Sequence, residues 1–169
     1  MSIYKEEHMG AYIAEFIGTC ALILFGAGSI IVTHTMVGSS AALLVVALAH
    51  GFIIACMVST LGAISGGHFN PAVTFGFIVG NKISKRKAYG YMIAQLSGAV
   101  VAALALQTLF FTETWEAAQL GTPMLASNVS FLRGMFIEVI LTFFLMMVIF
   151  GTAVDSRAPK VGGLFIGLI

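Results

Sequence analysis

The chain has 169 residues, 59% of them hydrophobic and only 9% charged. Soluble domains carry nearer a quarter charged residues, so this much apolar surface cannot be hidden in a water-facing globule of such size. A net charge of +1, with no basic run alternating with aromatics, excludes nucleic acid as a partner.

The expected fold class is therefore an all-α polytopic membrane protein. The start, MSIYKEEHMG, is polar and mixed in charge, which does not read as a cleavable signal. Behind it, four apolar stretches reach the roughly 20 residues that cross a hydrocarbon core. They cover about 11–32, 41–61, 88–111 and 131–154, and a fifth begins at 162 and stops at 169. Cys20 and Cys56 lie inside spans and read as small buried hydrophobes, with neither a disulfide nor a metal. His34 falls in an expected loop, THTMVGSS, and reads as exposed to solvent.

The second span carries Ala47, Gly51, Ala55 and Ser59 at every fourth position, and the third carries Ala94, Gly98 and Ala102. Such rows let helices approach closely in lipid. His50 stands near the centre of the second span. An intramembrane histidine is costly and faces either a pore or an interhelical hydrogen-bond partner.

Between the second and third spans stands SGGHFNPAVTFG. Asn70 is a strong N-cap type and Pro71 suits the first helical position. The half-helix expected over 70–80, about a dozen residues at 1.5 Å each, can enter a membrane but not cross it. The glycine-rich lead-in cannot be regular helix, and irregular backbone at membrane depth survives only inside protein or beside a wet cavity. A helix N-terminus with its partial positive charge, beside an Asn side-chain donor, suits water or a neutral hydroxyl solute and repels cations and protons. A capped interfacial helix with no pore role is the bland alternative. His68 is expected to contribute its backbone carbonyl, with a structural ring.

Lysine and arginine placement orients the chain. With the half-helix returning to its own side, Lys5, Lys82, Lys85, Arg86, Lys87, Arg157 and Lys160 share the inner face. The outer loops hold Glu113 and Glu116, with Arg133 the one cation near them. That bias places the N-terminus in the cytoplasm. Glu15 in AEFIGTCALILFG is echoed by Glu138 in IEVILTFFLMMVIFG, in spans of opposite direction, as inverted transport repeats are. Both acids read better as buried scaffold groups holding backbone N–H groups of an irregular segment than as a proton relay, and Gln95 in the third span is a similar scaffold candidate.

SGGHFNPAVTFG, with AEFIGT in the first span and QLSGAVVAAL in the third, resembles the aquaporin superfamily, also called the major intrinsic proteins. The stretch EVILTFFLMMVIFGTAVDSRAPKVGGLFIGL is similar to the fourth span, inner loop and fifth-span start of that family, so the resemblance runs from about residue 10 to the last residue. It implies an aquaporin-like bundle assembled as a homotetramer of separate pores in a plasma or inner membrane. Asn70, Pro71 and Ala72 would then form the first NPA box, with the Gly66, Gly67, His68 and Phe69 carbonyls lining the inner half-pore. Glu15 and Glu138 would be its buried acids. His50 matches the second-span member of the outer constriction, where histidine is similar to the plant vacuolar group and departs from the Phe or Trp of other members. By analogy the second box would fall at about position 186, so the chain is expected to be an incomplete bundle of four spans plus the start of a fifth.

The expected function is passive passage of water and small neutral solutes such as ammonia, urea, glycerol or peroxide, excluding protons and ions, with no cofactor and no covalent chemistry. The first alternative is a truncated, non-conducting membrane or assembly protein of the same family. The second is an intramembrane enzyme using His50, His68 and Glu15, disfavoured because no ligand pair at metal spacing is present.

Overall fold

The computed structural model describes residues 3–36, 39–158 and 161–169. They form seven α-helices and, among the described residues, no strand. The helices are α1 (Ile3–Met36), α2 (Ser39–Ser65), α3 (Pro71–Val79), α4 (Lys85–Leu109), α5 (Thr112–Ala117), α6 (Phe131–Ile149) and α7 (Gly162–Leu168). Four segments are long and apolar enough to cross a membrane: Met9–His34, Ala41–Ser65, Lys85–Leu109 and Phe131–Val154.

Helix ends differ from the sequence expectation for identifiable reasons. Helix α1 continues through His34, which is exposed but helical rather than in a loop. Helix α2 runs to Ser65, because the chain first leaves helical geometry at Gly66, where φ is +99°. Helix α4 starts at Lys85, since the side chain of Ser84 accepts from the Lys87 N–H and caps it there. Lys85, Arg86 and Lys87 therefore form a first turn rather than a loop. Helix α5 was not expected from the sequence. It packs Trp115 with Leu120 onto the cluster of Ile31, Leu106 and Ala118, closing one end of the α1–α4 pair. Lys160 lies outside the described residues, and of Lys5 only the backbone is described.

Close approaches use the small residues. On α4, Ala88, Tyr91, Gln95, Gly98, Ala102 and Leu106 are buried along one face. At Gly98 the α1 backbone comes so near that an added Cβ would collide with the Phe16 carbonyl oxygen and lie 3.2 Å from the Cys20 nitrogen. Helices α2 and α7 cross at Gly51 and Gly167, whose carbonyl oxygens each occupy the place of the other's missing Cβ. One turn away, Gly163 faces Ala55 and Ser59. Ile93, Leu96, Val100 and Leu104 on the opposite side of α4 are exposed, as lipid-facing residues are. Helix α6 is covered lightly, with only Gly134 and Ile149 buried, and ends in a π-helical turn, Phe150–Val154. A second cluster joins α3, α6 and α7 through Val73, Ile149 and Ile166, with Ile54 and Val58 of α2 packed on it.

Candidate functional site

The segment Ser65–Asn70 is fixed by one buried acid. Glu15 on α1 is fully buried. Its Oε1 accepts from Ser65 Oγ at 2.6 Å and from the His68 N–H at 3.0 Å. Its Oε2 accepts from the Phe69 N–H at 2.6 Å and from Gln95 Nε2 at 2.7 Å. The three nitrogen partners can only donate, so the arrangement suits an acceptor-only carboxylate. An irregular segment at this depth has no helical partners for its N–H groups, and Glu15 supplies two of them.

Around this acid the polar groups interlock. The Thr74 hydroxyl donates its one proton to the Asn70 carbonyl at 3.1 Å and accepts from Gln95 Nε2 at 2.9 Å. His68 Nδ1, 3.1 Å from the same oxygen, must then be the protonated nitrogen. Its ring lies 4.1 Å from Phe77 and 5.2 Å from Tyr91, centroid to centroid, and Tyr91 donates its hydroxyl to the Ser65 carbonyl. The Phe69 ring packs into the space left by Gly18 on α1.

That scaffold leaves backbone acceptors unclaimed. Gly66 and Gly67 adopt φ of +99° and +67°, and Phe69 holds +49°, which turns successive carbonyls out of helical register. Among the described residues no donor reaches the carbonyls of Gly66, Gly67 or His68. The Phe69 carbonyl differs from expectation, because Thr19 Oγ1 donates to it at 3.0 Å. Asn70, with extended backbone, accepts the Ala72 N–H on Oδ1 at 2.7 Å, and Pro71 begins the helix. Among the described residues its amide nitrogen has no acceptor, and the residue is half-exposed. Gly66 also borders a cavity of about 790 Å³ shared with Val58, Ser59, Gly62, Thr152 and Asp155. At its rim Arg157 holds Asp155 at 2.6 Å, and this guanidinium keeps the Asp155 carboxyl below its ordinary range.

His50 lies apart from this network. Its Nδ1 is 2.8 Å from the Val46 carbonyl one turn back on α2, and its Nε2 edge rests on Gly26 of α1. Glu138, read from the sequence as a buried acid, is exposed on α6 among the described residues. No group of three His, Cys, Asp or Glu side chains that could hold a metal occurs among the described residues.

Sequence reasoning missed Thr19, Ser65, Thr74 and Tyr91. Each of them carried a signal: Ser65 directly precedes the glycine pair, Thr74 is one turn beyond Asn70, Tyr91 is one turn before Gln95, and Thr19 is one turn beyond Glu15.

A family profile described as "Major intrinsic protein" matches residues 2–169. "Probable aquaporin TIP3-2" of Arabidopsis thaliana is 39% identical over 96% of this chain and 64% of its own length. "Glycerol uptake facilitator protein-like 6" of Lactiplantibacillus plantarum is 37% identical over 95% of this chain and 71% of its own. The crystal structure of the aquaglyceroporin from Plasmodium falciparum superposes with a TM-score of 0.84 at 28% identity, covering 95% of this chain and 69% of that one. The chain thus spans about two thirds of the length of the relatives it matches.

Proposed function

Because the chain belongs to the major intrinsic protein family, we propose that its four membrane-crossing segments and the half-helix α3 form one side of a pore for water and small neutral solutes. The observation that carries the proposal is the pairing of three unclaimed carbonyls, on Gly66, Gly67 and His68, with the unclaimed amide of Asn70. The carbonyls accept from a passing hydroxyl, and the Asn70 amide donates to its oxygen. A molecule able to do both, such as water, glycerol or urea, exchanges its hydration for this lining at little cost.

Charge exclusion follows from the same place. The N-terminus of α3 carries roughly half a positive charge, and Asn70 and Pro71 mark that end. A cation at Asn70 meets this partial charge and an amide donor where it needs acceptors. Pro71 and Ala72 act through the backbone, Pro71 by starting the helix and Ala72 by giving its N–H to Asn70. Glu15 and Gln95 act only by holding the segment. His50 forms part of a narrower constriction, in which ammonia, urea, glycerol and peroxide are admitted beside water. The pore takes part in no covalent step and needs no cofactor. Assembly as a homotetramer in a plasma or inner membrane, with the N-terminus cytoplasmic, belongs to the same proposal.

The test is osmotic shrinkage of proteoliposomes holding the full natural protein, followed by light scattering. Water permeability well above that of empty vesicles, with no proton leak, is the expected result. Permeability equal to that of empty vesicles overturns the proposal.

A further inference from the structure

The imidazole of His50 has a seat, and the seat is a glycine. An ideal Cβ placed on Gly26 would lie 2.6 Å from His50 Nε2, 2.8 Å from Cδ2 and 3.1 Å from Cε1. Ordinary van der Waals contacts begin near 3.4 Å, so any side chain at position 26 forces the ring away by about 1 Å. On its other edge the ring is held by one hydrogen bond, Nδ1 to the Val46 carbonyl. The ring is the free end of a side chain, so it can yield while both helix backbones stay in place.

The face on which this ring stands is the interior one. His50, Ile54 and Val58 follow each other at every fourth residue of α2 and so share a stripe. Ile54 and Val58 pack against the Val73–Ile149–Ile166 cluster of α3, α6 and α7, and Val58 borders the 790 Å³ cavity beside Gly66. The neighbouring stripe, with Ala47, Gly51 and Ala55, meets α7. A third, with Ala49, Phe52 and Cys56, faces an apolar crevice towards α1 and α4. His50 thus stands two turns along this stripe from the cavity beside Gly66.

We infer that Gly26 is a specificity-determining position: by leaving room for the His50 ring against α1, it sets the width of the passage beside α2. The inference rests on the pore reading above and adds to it a residue on a different helix. It makes the constriction width a property of the pair Gly26 and His50, so His50 is wide or narrow according to what stands at position 26.

The experiment compares the full natural protein with Gly26→Ala, His50→Ala and the double variant in proteoliposomes, using urea, glycerol and water. Gly26→Ala is expected to slow urea and glycerol by at least about tenfold, the effect of one methylene of misfit, and water by less. The double variant is expected to return to the rate of His50→Ala, because the alanine methyl then has no ring to push. Unchanged uptake in Gly26→Ala, or a double variant as slow as Gly26→Ala, overturns the inference. Diethyl pyrocarbonate labelling of His50, read by peptide mass, tests the seat without transport. The label should enter several-fold faster in Gly26→Ala, and an equal rate overturns the seat even if no variant conducts. Failure of the unsubstituted protein to pass any solute counts against the pore reading alone.

Discussion

Replacing Glu15 with glutamine changes one oxygen to an amide nitrogen in a site where nearly every neighbour donates. Were the new NH₂ to stand at the Oε2 position, it would face the Phe69 N–H and the Gln95 amide, which both donate there. At the Oε1 position it faces Ser65, whose hydroxyl can turn to accept, and the His68 N–H, which cannot. The second placement is better and still strands one buried N–H, at about 1–3 kcal/mol. The surviving bonds from Phe69 and Gln95 lose their charge assistance, about 1 kcal/mol each. Burying a neutral amide is easier than burying a carboxylate, which offsets part of this. We expect a net loss of about 2–4 kcal/mol, measured as unfolding in mixed micelles by circular dichroism. Glu116→Gln, on the exposed surface of α5, should change stability by less than about 0.5 kcal/mol. A Glu15→Gln protein as stable as Glu116→Gln would refute the role given to Glu15.

Asn70→Asp keeps the acceptor for the Ala72 N–H but replaces the amide donor by negative charge, so cations and protons should begin to leak, read with a pH-sensitive dye inside vesicles. Asn70→Ala should instead cost α3 about 1 kcal/mol of capping and slow water without admitting cations, and a cation leak equal to that of Asn70→Asp would count against the donor role. Gly98→Ala places a methyl against the Phe16 carbonyl and should cost about 1–3 kcal/mol by forcing α1 and α4 apart. Gly151→Ala, with nothing within 4 Å of its Cβ, should be close to neutral in the same unfolding assay.

Much of this protein was legible one residue at a time. Apolar runs of spanning length, the Asn-Pro start of a half-helix and rows of small residues are local patterns, fixed by hydrocarbon thickness, capping chemistry and backbone approach. So the spans, the short α3 and the glycine contacts at Gly51 and Gly98 could be read without coordinates. Helix ends moved by a few residues because single caps, such as Ser84, decide them.

Partnership was not legible, because partners are distant in the chain. Glu15 and Glu138 look alike as acids near one end of an apolar helix, yet among the described residues only Glu15 is met by an irregular segment with N–H groups to satisfy. Phe69 and its neighbours look alike as backbone, yet only its carbonyl is taken by Thr19. His50 could be identified as an intramembrane histidine, but that its ring rests on Gly26 follows only from how α1 crosses α2. Sequence alone determined which groups must enter the membrane. Tertiary structure decided which of those groups find partners among the described residues and which do not, since a buried polar group's cost depends on partners brought near only by folding.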